Sequence, residues 1–280
     1  MTGKIIILGY SGMLGRYAFT YLNSYYDCIG LSRHDFDAIS PDIDYLKFKI
    51  SPGDVVINCV GILKPYIDDI GVVNTIKINS VFPQIVADIC CDQGARLVHI
   101  SSDCIFSGDK GQYVEDDIAD AGDLYAKTKA IEPTDSIIIR TSFVGEDINK
   151  DGVGLLQWII SQHQKTINGY DNCLWNGVTC LELVKYIRSI IDASDTSYTQ
   201  HFYSPDTISK YDLCCIVRDV YGLDIEIVKS TASSISQTNI NGVLDRSLSS
   251  NSDEILNVPN IREQLIAQRD YDFTYYKKAI

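Results

Sequence analysis

"KIIILGYSGMLG", residues 4–15, decides the fold. Its first half is an unbroken apolar run, the pattern of a strand buried on both faces of a parallel sheet. Gly9, Gly12 and Gly15 follow, and then the helical stretch "MLGRYAFTYLNSYY" begins. Each glycine has a physical task in such a turn. Gly9 permits the tight reversal, Gly12 lets backbone N–H groups approach a pyrophosphate at the helix N-terminus, and Gly15 lets the helix pack close to the sheet. A strand, a glycine turn and a helix in this order predict dinucleotide binding. The plainer alternative is a glycine-rich turn with no ligand.

Working outward, strand-like and helix-like stretches alternate. "DCIGLS" (27–32), "DVVINCVG" (54–61), "RLVHISS" (96–102) and "SIIIRTS" (136–142) read as strands. "VVNTIKINSVFPQIVADICC" reads as a helix with Pro83 as a candidate kink, and "YAKTKAIE" starts another, while "DIDYLKFKI" fits strand or helix. This alternation predicts an α/β fold: a doubly wound parallel Rossmann sheet with right-handed crossovers. The pattern loosens after about residue 145 into helices with short strands such as "QHFYS" and "IEIVKS". The expected division is a dinucleotide-binding domain over 1–145 and a smaller mixed substrate lobe over 146–280, with segments that return to the first domain.

The totals narrow the function. A formal net charge of −13 over 280 residues disfavours nucleic acid and anionic membranes as partners, since both want Lys and Arg. Nine cysteines without a CxxC pair read as reduced thiols, and no apolar stretch reaches membrane-spanning length. A cytoplasmic protein is the expectation, with a homodimer as its expected assembly. His34, His99, His163 and His201 lack metal-ligand spacing, so no metal is assigned.

Ser32 and Arg33 close the second strand, where an NAD-preferring site has an acid for the ribose 2′-hydroxyl. Arg pairs with a 2′-phosphate, so NADPH (with NADP+ as its oxidised form) is the expected cofactor. A solvated surface charge is the alternative for Arg33. The expected cofactor-binding set is Gly9, Ser11, Gly12, Met13, Leu14, Gly15, Ser32, Arg33, Val60 and Gly61, joined by Tyr125 and Lys129.

"YAKTK" puts Tyr125 and Lys129 four apart, on one face of a helix. A free phenol titrates near ~10, and a neighbouring ammonium would lower that. Ser102, at the end of a strand, would hydrogen-bond a carbonyl oxygen. Together such groups polarise a C=O, accept hydride at carbon and protonate the oxygen.

"GYSGMLG", "DVVINCVG", "LVHISSDCIFSG", Tyr113, Glu115, "YAKTK" and "IIIRTSFVG" occur in an order that resembles the extended short-chain dehydrogenases/reductases. The dTDP-4-dehydrorhamnose reductase branch is the nearest in pattern. The resemblance covers residues 4–145 and continues faintly through "WNGVTCLELVK". It implies an NAD(P)H-dependent oxidoreductase that reduces the 4-keto group of a nucleotide-linked 4-keto-6-deoxyhexose, with Ser102, Tyr125 and Lys129 as the catalytic set. The branch often has Gly-Glu soon after the Lys, where this chain has Ile131–Glu132. Asn58 and Asn79 also match family positions and read equally as buried amides tying loops to strands. Asp103, Trp175, Asn176 and Arg246 are substrate-binding candidates, against a plainer reading of the last three as core or surface residues of the lobe. UDP, dTDP and GDP remain open for the nucleotide, as do an L-rhamnose-type sugar and its 2-acetamido analogue.

Cys104 lies two residues past Ser102. By resemblance this position faces substrate: dehydratase-like relatives place a Glu base there and dehydrorhamnose reductases a Tyr. GDP-fucose synthase and the plant-type epimerase/reductases are similar to this chain in having Cys. The missing Glu argues against dehydration. A thiol exchanges protons with carbon near neutral pH, so epimerisation at C3 or C5 coupled to reduction is expected from Cys104, with Asp147 or Lys150 as the second acid–base group. A small buried thiol at a strand end is the alternative. From another class, the fold also serves as a non-catalytic NADP-binding subunit regulating a partner enzyme; the intact Ser–Tyr–Lys set favours the enzyme.

Overall fold

The computed structural model describes residues 3–147, 154–233, 242–252 and 256–275. Two compact units share the chain. The first takes Met1–Ile105, Ala121–Arg140 and Val184–Gln200; the second takes Phe106–Asp120, Thr141–Leu183 and His201–Ile280.

The first unit holds β1 (Ile5–Leu8), α1 (Met13–Leu22), β2 (Cys28–Leu31), α2 (Ile43–Lys49), β3 (Val55–Asn58), α3 (Ile67–Ile70), α4 (Val72–Ile76), α5 (Phe82–Gln93), β4 (Arg96–Ile100), α6 (Leu124–Lys129) and β5 (Ile137–Arg140). The second holds β6 (Phe143–Val144), α7 (Leu155–Ile160), β7 (Lys165–Tyr170), β8 (Cys173–Trp175) and β9 (Val178–Thr179). The residues of α8 (Cys180–Asp192) and β10 (Tyr198–His201) are divided between the units. The second unit then continues with β11 (Ile208–Ser209), α9 (Lys210–Tyr221), β12 (Ile225–Ser230), β13 (Leu244–Asp245) and α10 (Ile261–Tyr275).

A six-stranded sheet in the order β10-β5-β4-β3-β1-β2 organises the first unit. β2, β1, β3, β4 and β5 pair in parallel. The order turns back on itself at β1 and β3, so the crevice beyond their C-terminal ends is where such a sheet takes a ligand. Every residue of β1 and β3 is buried, which is why both are continuous apolar runs. Ile6, Leu8 and Val56 pack on Phe82, Val86 and Ile89 of α5. Each such side chain contributes roughly 1.5–3 kcal/mol by leaving water.

The stretch that fits strand or helix is α2. Asp42 caps it by accepting the Tyr45 N–H at 3.0 Å, Asp44 lies in its first turn, and Lys47 and Lys49 lie in its last. Cap and charges complement the helix dipole and decide the ambiguity. The helix of Pro83 changes its winding just before the proline rather than breaking at it. A π turn over Lys77–Val81 precedes it, and Pro83 falls in the first turn of α5, where its missing N–H costs nothing.

The second unit is built from short pieces. β7 pairs β12 in parallel, β6 pairs β9 in parallel, and β8 lies between β11 and β13. Leu156, Ile159, Trp175, Leu213, Val217 and Leu265 form its core.

Candidate active site

The glycine turn fits a pyrophosphate by geometry. Gly9 has a φ of +78°, and its N–H donates to the Leu31 carbonyl at 2.8 Å. A Cβ on Gly15 would stand 2.2 Å from the Gly9 carbonyl oxygen, so no other residue fits without moving main chain. Gly12 is the N-cap of α1, and neither a capping side chain nor an acid in the first turn covers that helix end. The first-turn amides, those of Met13 and Leu14 included, are thereby left for an anion. The side chain of Leu14 is buried in the core and that of Ser11 is exposed.

At the end of β2, Arg33 is exposed and has no ion-pair partner among the described residues. Ser32 is buried, and Asp35 accepts both its N–H (2.8 Å) and its hydroxyl (3.0 Å). These bonds hold the Asp35 carboxyl below the usual range. An acid does therefore stand near this strand end, but its charge is occupied by Ser32; sequence reading missed it because it lies beyond the strand. Val60 and Gly61 continue β3 into a loop fixed by two amides. Asn58 Oδ1 accepts the Val60 N–H at 3.0 Å, and Asn79 brackets Ile62 by accepting its N–H (2.8 Å) and donating to its carbonyl (3.1 Å).

Ser102, Cys104, Tyr125 and Lys129 all lie in the first unit, past the end of β4 and on α6. The Cys104 N–H donates to Ser102 Oγ at 3.1 Å, and Ser102 Oγ donates weakly to Asp103 at 3.3 Å. Ser102 also hydrogen-bonds Tyr125. Asp123 caps α6 by accepting the Ala126 N–H at 3.0 Å. Its other oxygen pairs with Lys64 at 2.7 Å, and the Lys64 ammonium lies 5.8 Å from the Tyr125 ring centroid.

The electrostatics differ from the expectation of a lowered phenol. Burial pushes Tyr125 above its ordinary value; Cys104, Asp103 and Asp123 push the same way, and the Ser102 hydrogen bond opposes them. Lys129 is buried, donates to the Ile100 carbonyl at 2.8 Å, and has its pKa pushed down to about 8, chiefly by desolvation. Tyr125 is therefore a neutral phenol at physiological pH, the state a proton donor requires.

The lobe candidates belong to the second unit. Trp175 Nε1 donates to Ser142 at 2.8 Å, and the Lys210 ammonium lies 4.6 Å from its ring centroid. Asn176 spends both ends of its amide on the backbone of Leu248, at 2.8 and 2.9 Å. Arg246 is half-buried and donates to the Phe106 carbonyl at 2.9 Å. Tyr113 stacks on Phe106, and Glu115 accepts the His201 N–H at 2.8 Å. Asp147 is half-buried; Lys150 lies outside the described residues.

A family profile described as "RmlD substrate binding domain" matches residues 3–255. The chain belongs to this family. Among RmlD relatives, the dTDP-4-dehydrorhamnose reductase of Mycobacterium tuberculosis is 24% identical over 249 residues, covering 82% of this chain and 79% of that protein. The dTDP-4-keto-6-deoxy-D-glucose reductase of Streptomyces niveus is 23% identical over 237 residues, covering 80% and 81%. The crystal structure of dTDP-4-dehydrorhamnose reductase from Bacillus anthracis, in complex with NADP, superposes with a TM-score of 0.81 at 19% identity, over 97% of this chain and 100% of that one. The Rossmann architecture of this RmlD-family chain is thus shared with that structure. No helix among the described residues is long and apolar enough to cross a membrane.

Proposed function

We propose that this protein is an NADPH-dependent oxidoreductase that reduces the 4-keto group of a nucleotide-linked 4-keto-6-deoxyhexose. The observation that carries the reading is the Ser102–Tyr125 hydrogen bond beyond the C-terminal end of β4, with Lys129 four residues after Tyr125 on α6, in an RmlD-family chain. The glycine turn from Gly9 to Gly15 would hold the pyrophosphate, Arg33 the 2′-phosphate, and Val60 and Gly61 the cofactor's path across the sheet edge. When bound, the dihydronicotinamide supplies hydride. Ser102 turns its hydroxyl from Asp103 to the substrate carbonyl, and the Cys104 N–H on its oxygen makes it a stronger donor. Tyr125 gives its proton to the oxygen as hydride reaches carbon. The candidates for holding the sugar nucleotide are Asp103 of the first unit and Trp175, Asn176 and Arg246 of the second.

Coupled epimerisation is the finer part of the proposal. A C4 ketone acidifies the protons on C3 and C5, and the Cys104 thiol acts electrostatically on Tyr125, so it stands beside the groups that hold the carbonyl. Supplying the 4-keto sugar nucleotide in D₂O without NADPH tests it. Deuterium entering C3 or C5 with wild type and not with Cys104→Ser supports the base; no exchange leaves a plain reductase.

The reductase itself is tested with a panel of dTDP-, UDP- and GDP-linked 4-keto-6-deoxy sugars, followed by loss of NADPH absorbance. Turnover of at least one is expected, and turnover of none would favour a non-catalytic NADP-binding subunit. One charged contact to the 2′-phosphate is worth roughly 1.5–3 kcal/mol, so Arg33→Ala should weaken NADPH by about one to two orders of magnitude and leave NADH unchanged. Equal use of both cofactors by wild type would refute the assignment of Arg33.

A further inference from the structure

Tyr113 and Glu115 of the second unit have no part in the reduction chemistry above, yet both are hubs of hydrogen bonds. The Tyr113 side chain is buried, with an exposure of 2%, and stacks on Phe106 with ring centroids 4.3 Å apart. Its oxygen accepts the N–H groups of Gly108 at 3.0 Å and Lys110 at 3.1 Å. Ser107 Oγ lies 3.3 Å away. The Ser107 hydroxyl donates its one proton to Asp120 at 2.8 Å, so the phenol is the donor in its contact with Ser107. One phenol thus closes the turn over 107–110.

That turn is the mount of Arg246. Arg246 Nε donates to the Phe106 carbonyl at 2.9 Å, and the Asp245 N–H donates to the Gly108 carbonyl at 2.8 Å. Gly108 packs against the stem of Arg246: a Cβ there would stand 3.1 Å from Arg246 Cγ and 2.6 Å from Leu244 Cδ1. The chain beyond Arg246 is pinned by the same stretch. The Tyr113 N–H donates to the Ser247 carbonyl at 2.9 Å, and the Tyr113 carbonyl accepts the Ser249 N–H at 2.7 Å. Glu115 accepts the Ser250 hydroxyl at 2.8 Å on one oxygen and the Asn251 N–H at 3.0 Å on the other. Asn176 holds Leu248 between them. A guanidinium anchored through Nε keeps its plane, and two-pronged recognition of a phosphate needs a fixed plane.

We propose that Tyr113 and Glu115 are positioning residues for the sugar nucleotide: they hold the turn and the strand that orient the Arg246 guanidinium, and through Arg246 they set the affinity for the substrate's diphosphate without touching it. This rests on the reading of Arg246 as a substrate residue of the proposed reductase. Without the phenol oxygen, the Gly108 and Lys110 N–H groups lose their acceptor, and the turn opens until water replaces it. The Phe106 and Gly108 carbonyls move with the turn, and the guanidinium moves with them.

The test is a double-mutant cycle between Tyr113→Phe and Arg246→Met in the full chain. dTDP, UDP and GDP are titrated calorimetrically with NADP+ saturating, so that the glycine turn is already filled. At least one should bind. Arg246→Met should weaken it about tenfold or more, and Tyr113→Phe, which keeps the ring on Phe106, about three- to tenfold. The double variant should bind no more weakly than Arg246→Met alone. In turnover, Tyr113→Phe should raise KM for the sugar nucleotide by the same factor, with kcat and NADPH affinity within about twofold of wild type. Glu115→Gln, whose amide keeps only one of the two acceptors, should follow the same pattern and the same coupling to Arg246. Additive losses in the double variant overturn the proposal, as does wild-type affinity in either folded variant. A chain that folds with neither substitution overturns it too, because the stretch would then be core rather than a mount. Wild-type affinity in Arg246→Met overturns the reading of Arg246 and the proposal with it. Intact coupling without turnover of any 4-keto sugar nucleotide would overturn the reductase reading and leave the positioning role standing; turnover with additive variants would do the reverse.

Discussion

Tyr125 is a neutral phenol because burial and three acidic neighbours all disfavour its anion. A reductase needs that state, since its tyrosine must arrive at the ketone with a proton to give. Replacing Tyr125 by Phe removes the proton and little of the shape. We expect kcat to fall by about 10²–10⁴, with NADPH affinity, read by fluorescence titration, within about twofold of wild type. A comparable loss of NADPH affinity would make Tyr125 a binding residue instead. Tyr125 and Lys129 were legible as a pair because they stand four apart on one helix, and Ser102 because it follows an apolar strand. Lys64 was not, since it meets Asp123 across 59 positions, and Asn58 meets His99 across 41. Periodicity carries no signal for such pairs; only the sheet register brings them together.

The turn after β1 and the short helix α6 are the elements that do most to place the site. β1 was legible as an apolar run because both its faces are buried, and the turn because Gly15 tolerates no Cβ. Gly15→Ala should therefore cost NADPH affinity more than about tenfold, because the added methyl displaces the Gly9 carbonyl and the turn with it. An alanine variant that binds NADPH normally would mean that this turn does not hold the pyrophosphate. α6 has only six residues, so its cap matters more than it would in a longer helix. Losing the Asp123 cap in Asp123→Ala should cost about 0.5–2 kcal/mol, seen as a Tm lower by a few degrees. The same change frees Lys64 and should alter kcat as well; an unchanged Tm would show that the cap is redundant. The π turn before α5 was only half legible: Pro83 marked a candidate kink, and the irregularity falls in the turn before it.

At the scale of the whole molecule, buried thiols and one buried lysine act in opposite senses on the response to alkali. Burial raises Cys59 and Cys90 to about 12 and Cys28 and Cys214 to about 11. Between their unfolded and folded values the native state binds more protons than the unfolded one, so stability falls as pH rises. Lys129 works in the opposite sense, because its native value lies below its unfolded one and stability rises with pH between the two. Four thiols outweigh one amine, and the urea midpoint under reducing conditions should drop from ~pH 8 to ~pH 10. The drop should be steeper in Lys129→Met, which loses the opposing gain; an identical slope would mean that Lys129 titrates normally. The second unit was the least legible part of the chain, because its strands run only two to six residues and its polar side chains are spent on backbone groups distant in sequence. The central claim concerns hydride delivered to a C4 ketone beside Tyr125, and one measurement reaches it directly. The chain is incubated with 4-deuterated NADPH and a nucleotide-linked 4-keto-6-deoxyhexose, and the product is read by NMR. Deuterium at C4 of the sugar with wild type, and none with Tyr125→Phe over the same time, is the predicted result; a product without deuterium at C4, or equal labelling by the two proteins, would contradict it.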